Sequence, residues 1–98
     1  MSYRKKEQKI KKIAKIYLLF PFGDSFSYSY PIYPKYFDFR TSVELAYASL
    51  SAPLQKIINN DFFYQDYPGW WRLLYKKSSY LKLKNQAISQ FLEVFYEI

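Results

Sequence analysis

The stretch YKKSSYLKLKNQAISQFLEVF, residues 75–95, decides how the rest of the chain is read. Tyr80, Leu83, Ala87, Phe91 and Phe95 recur at intervals of three and four, the spacing of one helix face. Lys82, Asn85, Gln86, Ser89, Gln90 and Glu93 fall on the opposite side. The pattern predicts a long amphipathic helix over 79–96, with Ser78 as its N-cap. Its start is basic. Lys76, Lys77, Lys82 and Lys84 stand in a stretch, 76–92, that has no acid.

Working upstream, Pro68 and Gly69 mark a turn. Residues 70–75 then read as a short helix of about two turns. Lys76, Lys77 and Ser78 are the joint between the two helices. The Trp70 and Trp71 pair reads as core packing, since buried aromatics dominate small cores. Further back, a helix is expected to begin after Thr41, because Thr41 and Glu44 have capping-box spacing. Val43, Ala46, Tyr47 and Leu50 supply its apolar face. Ser51 is placed to cap the next helix, with Pro53 in its first turn. Leu54, Ile57 and Ile58 face inward, Asn59, Asn60 and Asp61 close the helix, and Phe62 and Phe63 continue the core. A short helix, a tight turn and a longer helix make a helix-turn-helix. The expected fold class is all-α: a small helix-turn-helix domain of four to five helices with an irregular, aromatic-rich N-terminal segment.

That segment opens with a predicted helix over 3–20, capped by Ser2. Ile10, Ala14, Tyr17 and Leu18 form its apolar face, and Lys and Arg cover the rest. Pro21 and Gly23 end it. Residues 21–40 carry Pro31 and Pro34 and read as an extended connection. Because residues 20–39 are rich in aromatics, they are expected to pack as an ordered strap. Stacking on single-stranded bases needs interleaved cations, and only Lys35 and Arg40 are present there. The expected organisation is therefore residues 1–40 as a basic helix plus connection, and 41–98 as the helix-turn-helix domain.

Composition narrows the chemistry. The chain has 98 residues, enough for one core, and 23% of them are aromatic. It has no cysteine and no histidine, which excludes disulfides, Cys/His zinc sites and catalytic sets built on those residues. The carboxylates show no paired spacing, and no phosphate loop or dinucleotide fingerprint is present. No catalytic residue, metal or cofactor is therefore expected. No apolar run approaches the ~20 residues of a membrane span. The basic start followed by the apolar run 16–22 has the outline of a signal peptide. The run is too short, and no small-residue cleavage site follows it. A cytoplasmic location is expected. The net charge of +7 is uneven. Residues 1–20 carry +6 and residues 76–92 carry +4, whereas 41–75 carry −1. Two separate basic blocks point to a polyanionic partner.

The segment 75–95 resembles the last helix-turn-helix of bacterial sigma factors. It is closer still to ArpU-type phage regulators and small mycoplasma sigma-like proteins. The residues that carry the likeness are Ser78 and Ser79, Tyr80, Leu83 and Lys84, Ala87, and Phe91 and Leu92. Upstream, LAYASLSAPLQKIINNDFF, residues 45–63, is similar to the preceding sigma helices in its Leu50, its Ser51–Pro53 joint and its Ile57 and Ile58 pair. The resemblance implies promoter-type DNA contacts at Lys77, Ser78 and Lys82, with Ser79 and Leu81 nearby. It also implies RNA polymerase as a partner. The family positions usually hold Arg, Glu or Gln, so Ser and Leu here imply grip more than base reading. A stand-alone regulator or a reduced polymerase-associated factor is implied, rather than a full sigma factor.

The functional expectation is thus duplex DNA binding through Lys76, Lys77, Ser78, Ser79, Lys82 and Lys84. Arg4, Lys5, Lys6, Lys9 and Lys12 form a candidate phosphate-contacting arm. The first helix is also expected to pack on the domain through Ile10, Ile13 and Tyr17. The alternative is an interaction protein that docks on a larger assembly or membrane surface through this helix and its aromatics, or an RNA- or ribosome-associated protein.

Overall fold

The computed structural model describes residues 2–19 and 33–97. The described fold is all-α, with four α-helices. Helix α1 spans Tyr3–Leu19, α2 Tyr33–Ala48, α3 Ala52–Ile58 and α4 Lys77–Glu97. A π turn, Asn59–Phe63, continues α3, and a 3-10 turn, Trp70–Leu73, precedes α4. Helix α4 is the longest and touches α1, α2 and α3 in turn, so it forms the spine of the core.

Helix α1 begins where predicted and runs to Leu19; its predicted last residue, Phe20, lies outside the described residues. The Lys5 backbone N–H donates to the Ser2 hydroxyl at 3.3 Å, which satisfies one of the free donors of the first turn. Ile10, Ile13 and Ala14 are buried. Tyr17 and Leu18 stay half-buried, because the helix reaches the rim of the core there.

Helix α2 begins at Tyr33, eight residues before the expected start. Pro34 explains the shift: in a first turn, its missing N–H costs nothing and its fixed φ suits the helix. Thr41 and Glu44 therefore sit mid-helix rather than in a capping box. Glu44 instead pairs with Arg40 at 3.5 Å, one turn back, and accepts a hydrogen bond from the Tyr17 hydroxyl at 3.2 Å. The boundary expected between residues 40 and 41 falls inside this helix. The aromatic strap expected over 20–39 lies, up to residue 32, outside the described residues.

Ser51, extended at φ −66° and ψ 160°, stands at the N-cap position of α3 without the side-chain hydrogen bond expected of it, and Pro53 stands in the first turn as expected. The helix does not stop at Asn59. It widens into a π turn, in which the Tyr64 N–H bonds the Asn59 carbonyl at 2.7 Å. The extra residue per turn turns Asp61 toward α4 while Phe62 stays buried. At the other joint, Gln55 Nε2 donates to the Tyr47 carbonyl at 3.0 Å and caps the end of α2.

The helix expected over 70–75 is a single 3-10 turn with no fully buried residue. Gly69 leads into it at φ +77°, a left-handed conformation that favours glycine. Trp70 packs against the core and Trp71 on Tyr80, whereas Leu73 and Leu74 stay in water, so the segment buries only part of its apolar surface. Helix α4 begins two residues early, at Lys77. The Tyr80 N–H bonds the Lys76 carbonyl at 2.9 Å, so Ser78 lies in the first turn rather than capping it. Of the predicted stripe, Tyr80, Ala87 and Phe91 are buried, and Leu83 and Phe95 are half-buried. Ile88 and Leu92 widen the buried face, since α4 is covered on several sides.

The aromatic excess is largely internal among the described residues. Tyr17 meets Phe63 edge-on at 5.6 Å, Phe63 leans on Phe91 at 6.4 Å, Phe91 stacks on Phe95 at 6.2 Å, and Phe39 meets Phe95 edge-on at 5.7 Å. One chain of rings thus ties α1, the π turn, α4 and α2 together. Phe91 is its centre and is fully buried. Phe91→Ala is expected to lower unfolding free energy by ~3–5 kcal/mol, read as a drop in the urea midpoint. A loss under ~1 kcal/mol would show that the ring chain is not what holds the core.

Candidate nucleic-acid interface

The first turns of α4 are exposed. Lys76, Lys77, Ser78, Ser79 and Lys82 all face solvent, and none of the three lysines has an ion-pair partner among the described residues. Helical spacing puts Ser78, Lys82 and Asn85 on one side, with Ser79 and Gln86 beside them. Asn85 and Gln86 are exposed as well. Their amides can pair with an adenine edge, a role that sequence periodicity did not assign; their polar-face positions were the available signal. Lys82 thus lies within this polar face, whereas Lys77 lies round the helix from it, at the face's edge.

Lys84 is placed differently. Its ammonium lies 3.3 Å from Asp61 Oδ2 and 3.6 Å from Glu7 Oε2, with only 16% of the side chain exposed. It also sits over the Phe62 and Tyr80 rings, at 5.3 and 5.6 Å. Lys84 is therefore an internal cation that joins α1, the π turn and α4. Sequence spacing put it in the basic block but could not show the two carboxylates that hold it.

Asp61 is the hub of this network. Trp70 Nε1 donates to its Oδ1 at 2.8 Å, and the Tyr80 hydroxyl donates to its Oδ2. Trp71 lies flat on the Tyr80 ring, 4.3 Å between centroids, while Trp70 meets the same ring edge-on. The tryptophan pair thus clamps the start of α4 through Tyr80 and Asp61. This agrees with the expected packing role, although both rings stay half-exposed.

The arm residues divide in two. The Lys6 ammonium donates to the Ser89 hydroxyl at 3.0 Å, and Lys9 lies over the Tyr96 ring at 5.1 Å, so both are spent on packing α1 against α4. Arg4, Lys5 and Lys12 are exposed and show no partner among the described residues; Lys15, which was not singled out, is exposed as well. The Glu7–Lys84 bridge brings the start of α1 to the start of α4, so Arg4 and Lys5 lie within one helical turn of that junction. The first turns of α1 are thus held beside the early turns of α4.

Among the described residues, no helix is long and apolar enough to cross a membrane. The chain matches no family model, no curated protein and no solved structure. The sigma-like resemblance rests on the residue pattern alone.

Three tyrosines titrate late. Burial, then the Glu7 carboxylate, pushes the Tyr3 hydroxyl up to about 12. Burial and the hydrogen bond to Asp61 raise Tyr80, and burial with Glu44 raises Tyr17. A raised acid pKa means that the fold favours the protonated form. Its contribution is full below the ordinary tyrosine value of 10.0 and is lost as pH climbs through the folded values. The urea midpoint is therefore expected to fall steadily from pH 10 upward; a flat midpoint up to pH 12 would contradict this. Asp61→Ala should cost ~2–4 kcal/mol, because it strands the Trp70 and Tyr80 donors. Asp61→Asn should cost less, since an amide oxygen still accepts. Equal losses in the two variants would mean that hydrogen bonding at Asp61 is not what matters.

Proposed function

We propose that the protein binds duplex DNA through the first turns of α4, as a sigma-like transcriptional regulator. One observation carries this reading: the exposed start of α4 presents Lys76, Lys77 and Lys82, without an ion-pair partner among the described residues, beside a polar face of Ser78, Ser79, Asn85 and Gln86. Lysines left without acids suit phosphates, and small hydroxyls at a helix start suit phosphate oxygens. Amides further along the same face suit base edges. Behind the helix, the Asp61 network holds its angle, and an element that enters a groove needs such a fixed angle. Arg4 and Lys5, in the first turns of α1 held beside it, add sequence-independent attraction. A partner such as RNA polymerase follows from the sigma-like resemblance.

A second reading is supported by α1. Its outer face carries Arg4, Lys5, Lys12 and Lys15, and Leu19 at its end is 62% exposed. Such a face suits docking on a larger anionic assembly. Deleting α1 is not a usable test, because Ile10, Ile13 and Ala14 belong to the core. Charge reversal at Arg4, Lys5 and Lys12 separates the readings without emptying the core.

The DNA reading is tested by titrating a duplex at several salt concentrations. Replacing Lys77 and Lys82 together by Ala should lower the slope of log affinity against log salt by ~1.8, at ~0.9 per phosphate contact. Lys84→Ala should instead lower stability and leave the slope of the folded protein unchanged. If the wild-type protein shows no duplex binding at low salt, the reading fails. If only the α1 reversal abolishes binding, the docking reading replaces it.

A further inference from the structure

The 3-10 turn before α4 displays apolar side chains to water. Leu73 is 97% exposed, Tyr67 78%, Leu74 54% and Leu81 44%. Single exposed apolar residues are ordinary, but Leu73 and Leu74 are adjacent at the end of the turn, with Tyr67 six residues before Leu73 and Leu81 seven after Leu74. The turn that carries Leu73 is also firmly held. Trp70 donates to Asp61, Trp71 stacks on Tyr80, and Arg72 lies over the Trp71 ring at 5.9 Å. A fixed turn whose leucine points outward is built as a contact surface.

The charges around it limit what can cover it. Arg72, Lys76, Lys77 and Lys82 lie within nine residues of Leu73 and are all exposed, and the nearest acids in sequence are the exposed Asp66 and Glu93. A second copy would bring the same positive rim and be repelled. The surface calls for a partner that offers negative charge and an apolar interior within a few ångströms of each other. Duplex DNA does so, because its stacked bases lie directly behind its phosphates.

We infer that Leu73, supported by Leu74, is an apolar wedge that enters the minor groove beside the site gripped by α4 and bends the duplex. This rests on the DNA reading above and extends it. Leu73 precedes Lys77 by four residues, a reach of at most ~14 Å. When α4 holds phosphates with Lys76 and Lys77, the turn is therefore already against the duplex. A leucine inserted between base steps partly unstacks them and kinks the helix axis. Arg72 and Lys76 then sit at the phosphates on either side of the opening. This also gives a source of sequence preference suited to a helix start rich in serine: flexible pyrimidine–purine steps deform most easily.

The test is end-to-end fluorescence transfer on a short duplex labelled at both ends, titrated with the full chain. The wild-type protein should bring the ends together on binding. The Leu73→Ser/Leu74→Ser double variant should fold normally, since both side chains are largely in water. It should bind with an affinity within about tenfold and an unchanged salt slope, and leave the end-to-end distance at that of free DNA. The Lys77/Lys82→Ala variant should lose affinity first. Binding without any change in transfer overturns the wedge and leaves the DNA reading intact. Bending that survives in the double leucine variant also overturns it. If the wild-type protein binds no duplex but binds vesicles of mixed anionic and neutral phospholipid through Leu73 and Leu74, both the wedge and the DNA reading fall.

Discussion

Asp61 sits where four elements converge, and its carboxylate decides how they meet. It accepts hydrogen bonds from Trp70 on the 3-10 turn and from Tyr80 on α4, and it pairs with Lys84 one turn further along α4. Lys84 carries the connection on to Glu7 of α1. Asp61 reaches these partners because the end of α3 is wound as a π turn. The cost of placing a carboxylate at this half-buried point is offset by two donors and a cation around it. Apolar packing alone is non-directional and would let α4 slide or rotate against α1 and α3. Directional bonds at Asp61 set the register.

The same arrangement sorts the cations. A chain with a net charge of +7 has more lysines than its carboxylates can neutralise. Lys6, Lys9, Lys11 and Lys84 find partners inside the fold or along α1. Arg4, Lys5, Lys12, Lys76, Lys77 and Lys82 find none among the described residues and are exposed. The division follows the packing of α1 across α4, which brings Glu7 within reach of Lys84. The start of α4 thus has its inner side tied to the fold and its outer side unpaired among the described residues.

Rigidity and exposure coincide at one place, the turn between Gly69 and Leu74. Its tryptophans face inward and its leucines face outward. A loop made only to connect two helices would need neither a stacked Trp71 nor a fully exposed Leu73. The juxtaposition of a fixed backbone, an apolar tip and a positive rim gives this turn a role beyond connection.

Much of the architecture was legible in the sequence. The three- and four-residue spacing from Tyr80 to Phe95 determined a long helix, and that from Ile10 to Tyr17 determined α1, because burial of one face imposes that period on any helix. Ser51 and Pro53 placed the start of α3. The exposed polar face of α4 was equally plain, since the side opposite an apolar stripe must meet water. What escaped were features set by contacts distant in sequence or by ambiguous local chemistry. Pro34 is compatible with both an extended chain and a first helical turn, and it began α2 eight residues early. The 70–75 segment has helix-compatible residues, but Leu73 and Leu74 find no surface to bury on while Trp70 and Trp71 do, and only one 3-10 turn formed. Above all, charge spacing alone treated Lys77, Lys82 and Lys84 as one basic block. Tertiary structure separated them, because only the folded chain brings Glu7 and Asp61, 77 and 23 residues away from Lys84, to its ammonium.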